Sequence, residues 1–295
     1  DFSVYIPPTH TADRMDYLDA TILNINAMVE ELGSIETLKT DFISNVSHEM
    51  KTPIAIIKNS AQLIEKGNLS EEERDACIRD IDAAAGRMSD LITNILKLNK
   101  LENQKIAPMK EPYDVCRQLC DCILLYDNIL DDKELELEVD MEDRAYVLAD
   151  EQLMELVWNN LLSNAVKFTP KGGKITVTQT TVSVDNVGQA ECMASANPVG
   201  LAKRMASTNP VGQTERVVRV TVADTGCGMN EESRKHIFDR FYQGDTSHAT
   251  QGNGLGLALA KRVLELLDGE ITVKSIEGEG SAFTVTLQGV RPDGS

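Results

Sequence analysis

At 295 residues the chain has room for about two domains, each with its own core, which excludes a peptide-sized or disulfide-dependent scaffold. Charged residues make up 26% and hydrophobic residues 42%, an ordinary balance for a globular protein. The formal charge of −18 repels phosphate backbones and anionic membrane surfaces, which argues against nucleic-acid binding. An acidic chain that takes a polyphosphate must cancel repulsion locally, with backbone N–H groups, a divalent cation or a few placed bases.

Six cysteines are too few for a disulfide framework at this length, and Cys116, Cys120 and Cys122 show no paired Cys-x-x-Cys metal spacing. The thiols therefore read as reduced and the chain as cytoplasmic. No run of about 18 apolar residues is present to span a bilayer. Because the chain starts at Asp1 rather than Met, a segment upstream of it is expected.

From Met15 to Lys66 apolar residues recur every three or four positions, with no proline before Pro53, which predicts a long helix. Ile43, Val46, Met50, Pro53, Ile57, Ser60 and Ile64 trace a heptad seam along it. Gly67-Asn68-Leu69 breaks the helix, and Ser70 with Glu73 reads as a capping box that opens a second one. There Ile78, Ile81, Ala85, Met88, Ile92 and Ile95 repeat the pattern, widened by Ala84, Leu91 and Leu98. Such a helical hairpin cannot bury its stripes against itself, so it is expected to form a dimeric four-helix bundle.

Pro108 and Pro112 mark a linker, after which the chain reads as mixed strands and helices. Helices are expected at 114–131, 151–168 and 255–267, and strands at 134–140, 175–184, 217–223, 271–275 and 282–287. This order implies an α/β sandwich with helices on one face. Between the middle strands, Asp185-Asn186-Val187-Gly188, Asn197-Pro198-Val199-Gly200 and Asn209-Pro210-Val211-Gly212 recur every 12 residues, read as a solvated hairpin loop over 185–215.

Three clusters in the C-terminal half carry chemistry. Asn160 and Asn164 are four residues apart and hence stacked on one helical face, with Lys167 three further on. Two amide oxygens and an ammonium suit a Mg²⁺–polyphosphate, although a solvated helix face carries the same residues. Asp224-Thr225-Gly226-Cys227-Gly228 follows an apolar strand, where a carboxylate can accept from an adenine-like amine and glycines admit a ligand; a plain turn is the alternative. Gly252-Asn253-Gly254-Leu255-Gly256-Leu257 leads into a helix whose first N–H groups can cradle phosphate. It matches neither a Walker loop nor the dinucleotide fingerprint.

In this order the clusters resemble the N, G1 and G2 boxes of the sensor histidine kinases of two-component signalling. Phe238-Asp239-Arg240-Phe241 resembles the F box, and the run from Phe42 to Pro53 around His48 resembles the H box. The resemblance covers about residues 38–290. It implies a HisKA-type dimerisation and phosphotransfer domain at 38–105, a linker at 106–112 and a Bergerat-type ATP-binding domain at 113–290. Residues 1–37 read as a helical signalling linker, in which Asp16 to Asp19 and Ile25 to Met28 resemble the second helix of a HAMP module, with Asp19 in place of the expected Gly; the likeness implies that the chain is the intracellular portion of a membrane-anchored sensor.

The heptad register alone sets His48 outside the seam, facing solvent. An imidazole with one unprotonated nitrogen is a competent nucleophile when a carboxylate takes its other proton. The resemblance makes His48 the phosphoacceptor, Glu49 its acid/base partner and Thr52 part of a Glu-x-x-Thr phosphatase pattern. It implies adenine near Asp224, Gly226 and Gly228, with Phe168 against the base. Mg²⁺ would sit on Asn164 and Asn160, and phosphates on Lys167, Arg240, Gly252, Gly254, Leu255 and Gly256, under a lid at 243–251. Gln243 stands where the family often has a basic residue. The implied activity is ATP-dependent autophosphorylation of His48 in a homodimer, then transfer to an aspartate of a response regulator. Gyrase-type ATPases share the pocket, but the helical region around His48 argues against them, and the intact glycine clusters argue against a non-catalytic scaffold.

Overall fold

The computed structural model describes residues 6–7, 17–103, 107–183, 216–244 and 252–291. These divide into two compact units, 1–90 and 91–295, with the boundary inside a helix. The expected repeat loop and most of the expected lid fall outside the described residues.

The first unit is built on α1 (Tyr17–Lys66) and the start of α2 (Glu71–Asn103). The capping box forms as read: the Glu73 N–H donates to Ser70 Oγ at 3.2 Å and the Ser70 N–H to Glu73 Oε2 at 2.8 Å. Near the start of α1, the Asn26 carboxamide accepts from the Ile6 N–H at 3.0 Å and donates to the Ile6 carbonyl at 2.7 Å. One side chain thereby satisfies both backbone polar groups of a residue twenty positions earlier.

The seam on α2 keeps Ile81, Met88 and Ile95, which are half-buried, but its other positions lie one residue from where the apolar spacing put them. Cys77, Ala84, Leu91 and Leu98 are buried at seven-residue intervals, while Ile78, Ala85 and Ile92 are exposed. Successive helical residues are about 100° apart, so the two series are adjacent stripes of one wide apolar face. Hydrophobicity could not say which stripe a single chain covers. On α1, Pro53 and Ser60 are buried, Val46, Met50, Ile57 and Ile64 half-buried, and Ile43 exposed. Among the described residues no helix is long and apolar enough to cross a membrane.

The second unit contains, in chain order, β1 (Glu111–Asp114), α3 (Val115–Leu124), α4 (Asp127–Asp132), β2 (Glu136–Asp140), β3 (Tyr146–Ala149) and α5 (Glu151–Phe168). Next come β4 (Lys174–Ser183), β5 (Arg216–Asp224), α6 (Glu231–His236), α7 (Gly256–Leu266), β6 (Glu270–Ile276) and β7 (Gly280–Gly289). The sheet runs β1-β3-β7-β5-β4-β2, with β6 also paired to β7. Among the described residues, only the β2–β4 pairing is parallel. β4 and β5 pair in antiparallel register from Ile175↔Asp224 to Ser183↔Arg216, so the segment carrying the repeats joins adjacent strands.

The core lies between the sheet and α3, α5 and α7. Val218, Val220 and Val222 alternate inward on β5, as do Phe283, Val285 and Leu287 on β7. Met154, Val157, Trp158, Leu161 and Ala165 of α5 and Leu259, Ala260, Val263 and Leu264 of α7 complete it. The helix expected over 114–131 is two: Asp114 ends β1 and caps α3 by accepting from the Cys116 N–H at 3.2 Å, and a turn at Leu125 and Tyr126 separates α4. β1, β3 and α6 have no counterpart in the sequence reading. Asp150 caps α5 by accepting from the Leu153 N–H at 3.1 Å, and its other oxygen accepts from the Met109 N–H at 3.0 Å, tying the linker to the domain.

Candidate functional site: three clusters and an exposed histidine

α5 places the first cluster. Asn160, Asn164 and Lys167 are half-buried on the face away from Trp158 and Leu162. Asn160 donates to the Leu156 carbonyl at 2.6 Å, which fixes the amide and turns its oxygen toward the backbone of Gly256 at the start of α7. The Asn164 carboxamide makes no hydrogen bond among the described residues. The Lys167 ammonium lies 4.5 Å from the Phe168 ring centroid, and burial lowers its pKa. A Cβ on Gly252 would sit 2.6 Å from that ammonium, so the second glycine cluster and α5 already meet.

Asp224 closes β5, half-buried, and accepts from the Gly226 N–H at 2.8 Å. Burial raises its pKa above the ordinary carboxylate value, opposed by the backbone N–H donors of Gly226 and Ser281. Glycine is required at 226 by close approach: a Cβ there would lie 2.6 Å from Asp224 Oδ1 and 2.7 Å from the Phe168 carbonyl oxygen. The end of α5 and the turn after β5 are thus in direct contact, with the Phe168 ring partly exposed beside them.

The third cluster is tied to the F-box residues. The Phe241 N–H donates to the Gly254 carbonyl at 2.9 Å, and the Gln243 amide to the Gly252 carbonyl at 3.0 Å. Gly254 has φ +64°, as a residue without Cβ tolerates, and Phe241 is held at φ +61°, unusual for a bulky side chain. Leu255 is fully buried, so its side chain belongs to the core. Among the described residues no side chain caps the start of α7, which leaves N–H groups of its first turn for an anion. Arg240 is exposed, with its guanidinium paired to Glu102 near the end of α2. Glu102 is a partner the sequence did not signal, being 138 residues away.

On α1, His48 is exposed, Glu49 half-buried and Thr52 exposed. Ser47 turns back to the Ile43 carbonyl at 2.8 Å and does not engage the imidazole. Among the described residues no group of three or more His, Cys, Asp or Glu could hold a metal ion.

Two family profiles match the chain: the His Kinase A (phospho-acceptor) domain over residues 38–104, and the histidine kinase-, DNA gyrase B- and HSP90-like ATPase over residues 149–291. The sensor-like histidine kinase SenX3 of Mycobacterium tuberculosis is 28% identical over 259 residues, covering 87% of this chain and 55% of its own. The sensor histidine kinase YcbM of Bacillus subtilis is 29% identical over 281 residues, 90% of this chain and 79% of its own. Among solved structures, full-length ShkA in complex with AMPPNP superposes with a TM-score of 0.54 at 25% identity, covering 87% of this chain and 46% of ShkA. The chain therefore spans about half the length of SenX3 and of ShkA. A phosphoacceptor profile that contains the solvent-facing His48, followed by an ATPase profile that contains all three clusters, leads to one assignment: the chain belongs to the sensor histidine kinases of two-component signalling.

Proposed function

We propose that the chain is an ATP-dependent protein-histidine kinase that phosphorylates its own His48 and passes the phosphoryl group to an aspartate of a response regulator. The observation that carries this reading is an imidazole left in solvent on α1, with Glu49 next to it in sequence, in a chain that also brings Asn160 against Gly256, Lys167 against Gly252 and Phe168 against Gly226. Residues 38–105 act as the dimerisation and phosphotransfer domain and 113–290 as the ATP-binding domain. AMPPNP bound to the similar ShkA supports ATP as the nucleotide.

In the pocket, Asp224 accepts the adenine amine, Phe168 lies against the base, and Lys167 and the free N–H groups of α7 take the phosphates. Mg²⁺ fits the donor set: Asn164 has an uncommitted carboxamide oxygen, Asn160 points its oxygen at Gly256, and no protein-only cage competes among the described residues. When bound, the ion supplies charge neutralisation on the triphosphate. Catalysis then rests on positioning. The unprotonated ring nitrogen of His48 forms a bond to the γ-phosphorus as the bond to the ADP oxygen breaks, and Glu49 accepts the proton from the other ring nitrogen. Thr52 serves the reverse task, orienting water for hydrolysis of a phosphorylated regulator. Residues 1–37 are read as the relay from a membrane-anchored sensor, on the HAMP-like residues and the Asn26–Ile6 clasp.

The decisive experiment labels the chain with γ-phosphate-tagged ATP. His48→Gln is expected to abolish acid-labile phosphorylation while ATP still binds. Undiminished acid-labile label in that variant would overturn the assignment of His48.

A further inference from the structure

Lys133 follows α4, 34 residues before the end of the first cluster, and no motif includes it. Its half-buried ammonium donates to three backbone carbonyls at the end of α5: Val166 at 2.8 Å, Lys167 at 3.2 Å and Thr169 at 3.2 Å. An ammonium has three N–H groups, so its capacity is fully used. The Lys133 carbonyl also accepts from the Gly172 N–H at 3.0 Å, so one residue grips both sides of the turn that leads into β4.

This grip exceeds what ending the helix requires. Thr169 already stops α5, its N–H and hydroxyl both donating to the Ala165 carbonyl at 3.0 and 2.6 Å. The carbonyls that Lys133 takes bracket Phe168, whose own carbonyl is left to abut Gly226. Gly226 in turn donates to Asp224. The backbone that carries Lys167 and Phe168 is therefore set against the Asp224 turn by contacts that begin at Lys133.

We propose that Lys133 is a positioning residue of the nucleotide site: by holding the last turn of α5 it sets Lys167 and Phe168 relative to Asp224 and so sets the affinity for ATP. This rests on the reading of the pocket as the ATP site. Lys133 touches no nucleotide atom itself; its effect passes through main chain.

The test uses the full chain and the substitution Lys133→Met, which keeps the aliphatic stem and removes the donors. Affinity for a fluorescent ATP analogue and the KM for ATP in autophosphorylation are expected to weaken about tenfold, with kcat within about twofold of the parent, at a temperature where circular dichroism shows both chains folded. Lys133→Arg, which retains a cation and several donors, should recover most of the affinity. A folded Lys133→Met chain with the parent's affinity would overturn the proposal, as would a loss confined to kcat. Lys133→Gln covers the case in which the Met variant does not fold: weakened binding supports the proposal, and parental binding or failure of both variants to fold overturns it in favour of a purely structural role. Asp224→Asn is the control for the underlying reading. If it binds ATP like the parent, the pocket assignment fails; if it loses binding while Lys133→Met does not, only the inference fails.

Discussion

At Asp224 the proposed role in binding and the demands of stability oppose each other. A carboxyl at the end of a buried strand is costly to ionise, and only two backbone donors offset that cost. Its folded-state pKa lies above the ordinary value of 3.8, so the native protein keeps this proton to higher pH than the unfolded chain does. Stability from this group is full below that ordinary value and is lost as pH rises through the raised folded value. Asp224→Asn keeps an oxygen for the Gly226 N–H and removes the charge. In urea titrations without nucleotide, the variant is expected to be more stable than the parent at pH 7, with the difference shrinking to nothing as pH falls below the ordinary carboxylate range. Calorimetry on the same variant should show ATP binding lost, because neutral Asn presents an amide where the adenine amine needs only acceptors. A variant less stable than the parent at neutral pH would contradict the burial argument.

Among the elements, α5 bears the most, since it supplies both core residues and part of the proposed nucleotide site. Asp150 caps its first turn and also holds Met109, so Asp150→Ala removes two hydrogen bonds and is expected to cost about 1–2 kcal/mol. Trp158 is the single tryptophan and is fully buried in α5, so its fluorescence during urea unfolding reports on this unit. A shift in midpoint below a few tenths of a kcal/mol would mean the cap is dispensable. Helices such as α5 were legible in sequence because their buried residues recur at helical spacing over 18 positions. The four-residue strands β1 and β3 were not, since so few residues establish no alternation, and Pro112 inside β1 reads as linker. The break between α3 and α4 contains neither glycine nor proline and left no signal. The same distinction holds within the site. Asn160, Asn164, Asp224 and the glycines are adjacent in local motifs, whereas the grip of Lys133 on α5 and the pairing of Glu102 with Arg240 depend on packing between distant segments.

On the scale of the whole molecule, the apolar face of α2 is too wide for one chain to cover. Cys77, Ala84, Leu91 and Leu98 are buried, yet the neighbouring stripe leaves Ile78 at 51% and Ile92 at 45% exposure, and α1 adds Ile43 at 56%. Apolar residues repeating at seven-residue intervals on an exposed helix are an interaction surface in search of a partner helix, and a second copy offers the same pattern. Burial at roughly 25 cal/mol per Å² makes each isoleucine worth about 1 kcal/mol or more on association. The double substitution Ile78→Asp and Ile92→Asp should leave the intramolecular stripe intact and introduce charges only where the second chain would pack. Light scattering is expected to show the mass falling from dimer to monomer, while circular dichroism retains the helical signal and ATP affinity is unchanged. A variant that remains dimeric would place the association surface elsewhere on the chain. A parent that is monomeric at micromolar concentration would remove the four-helix bundle from the proposed function altogether.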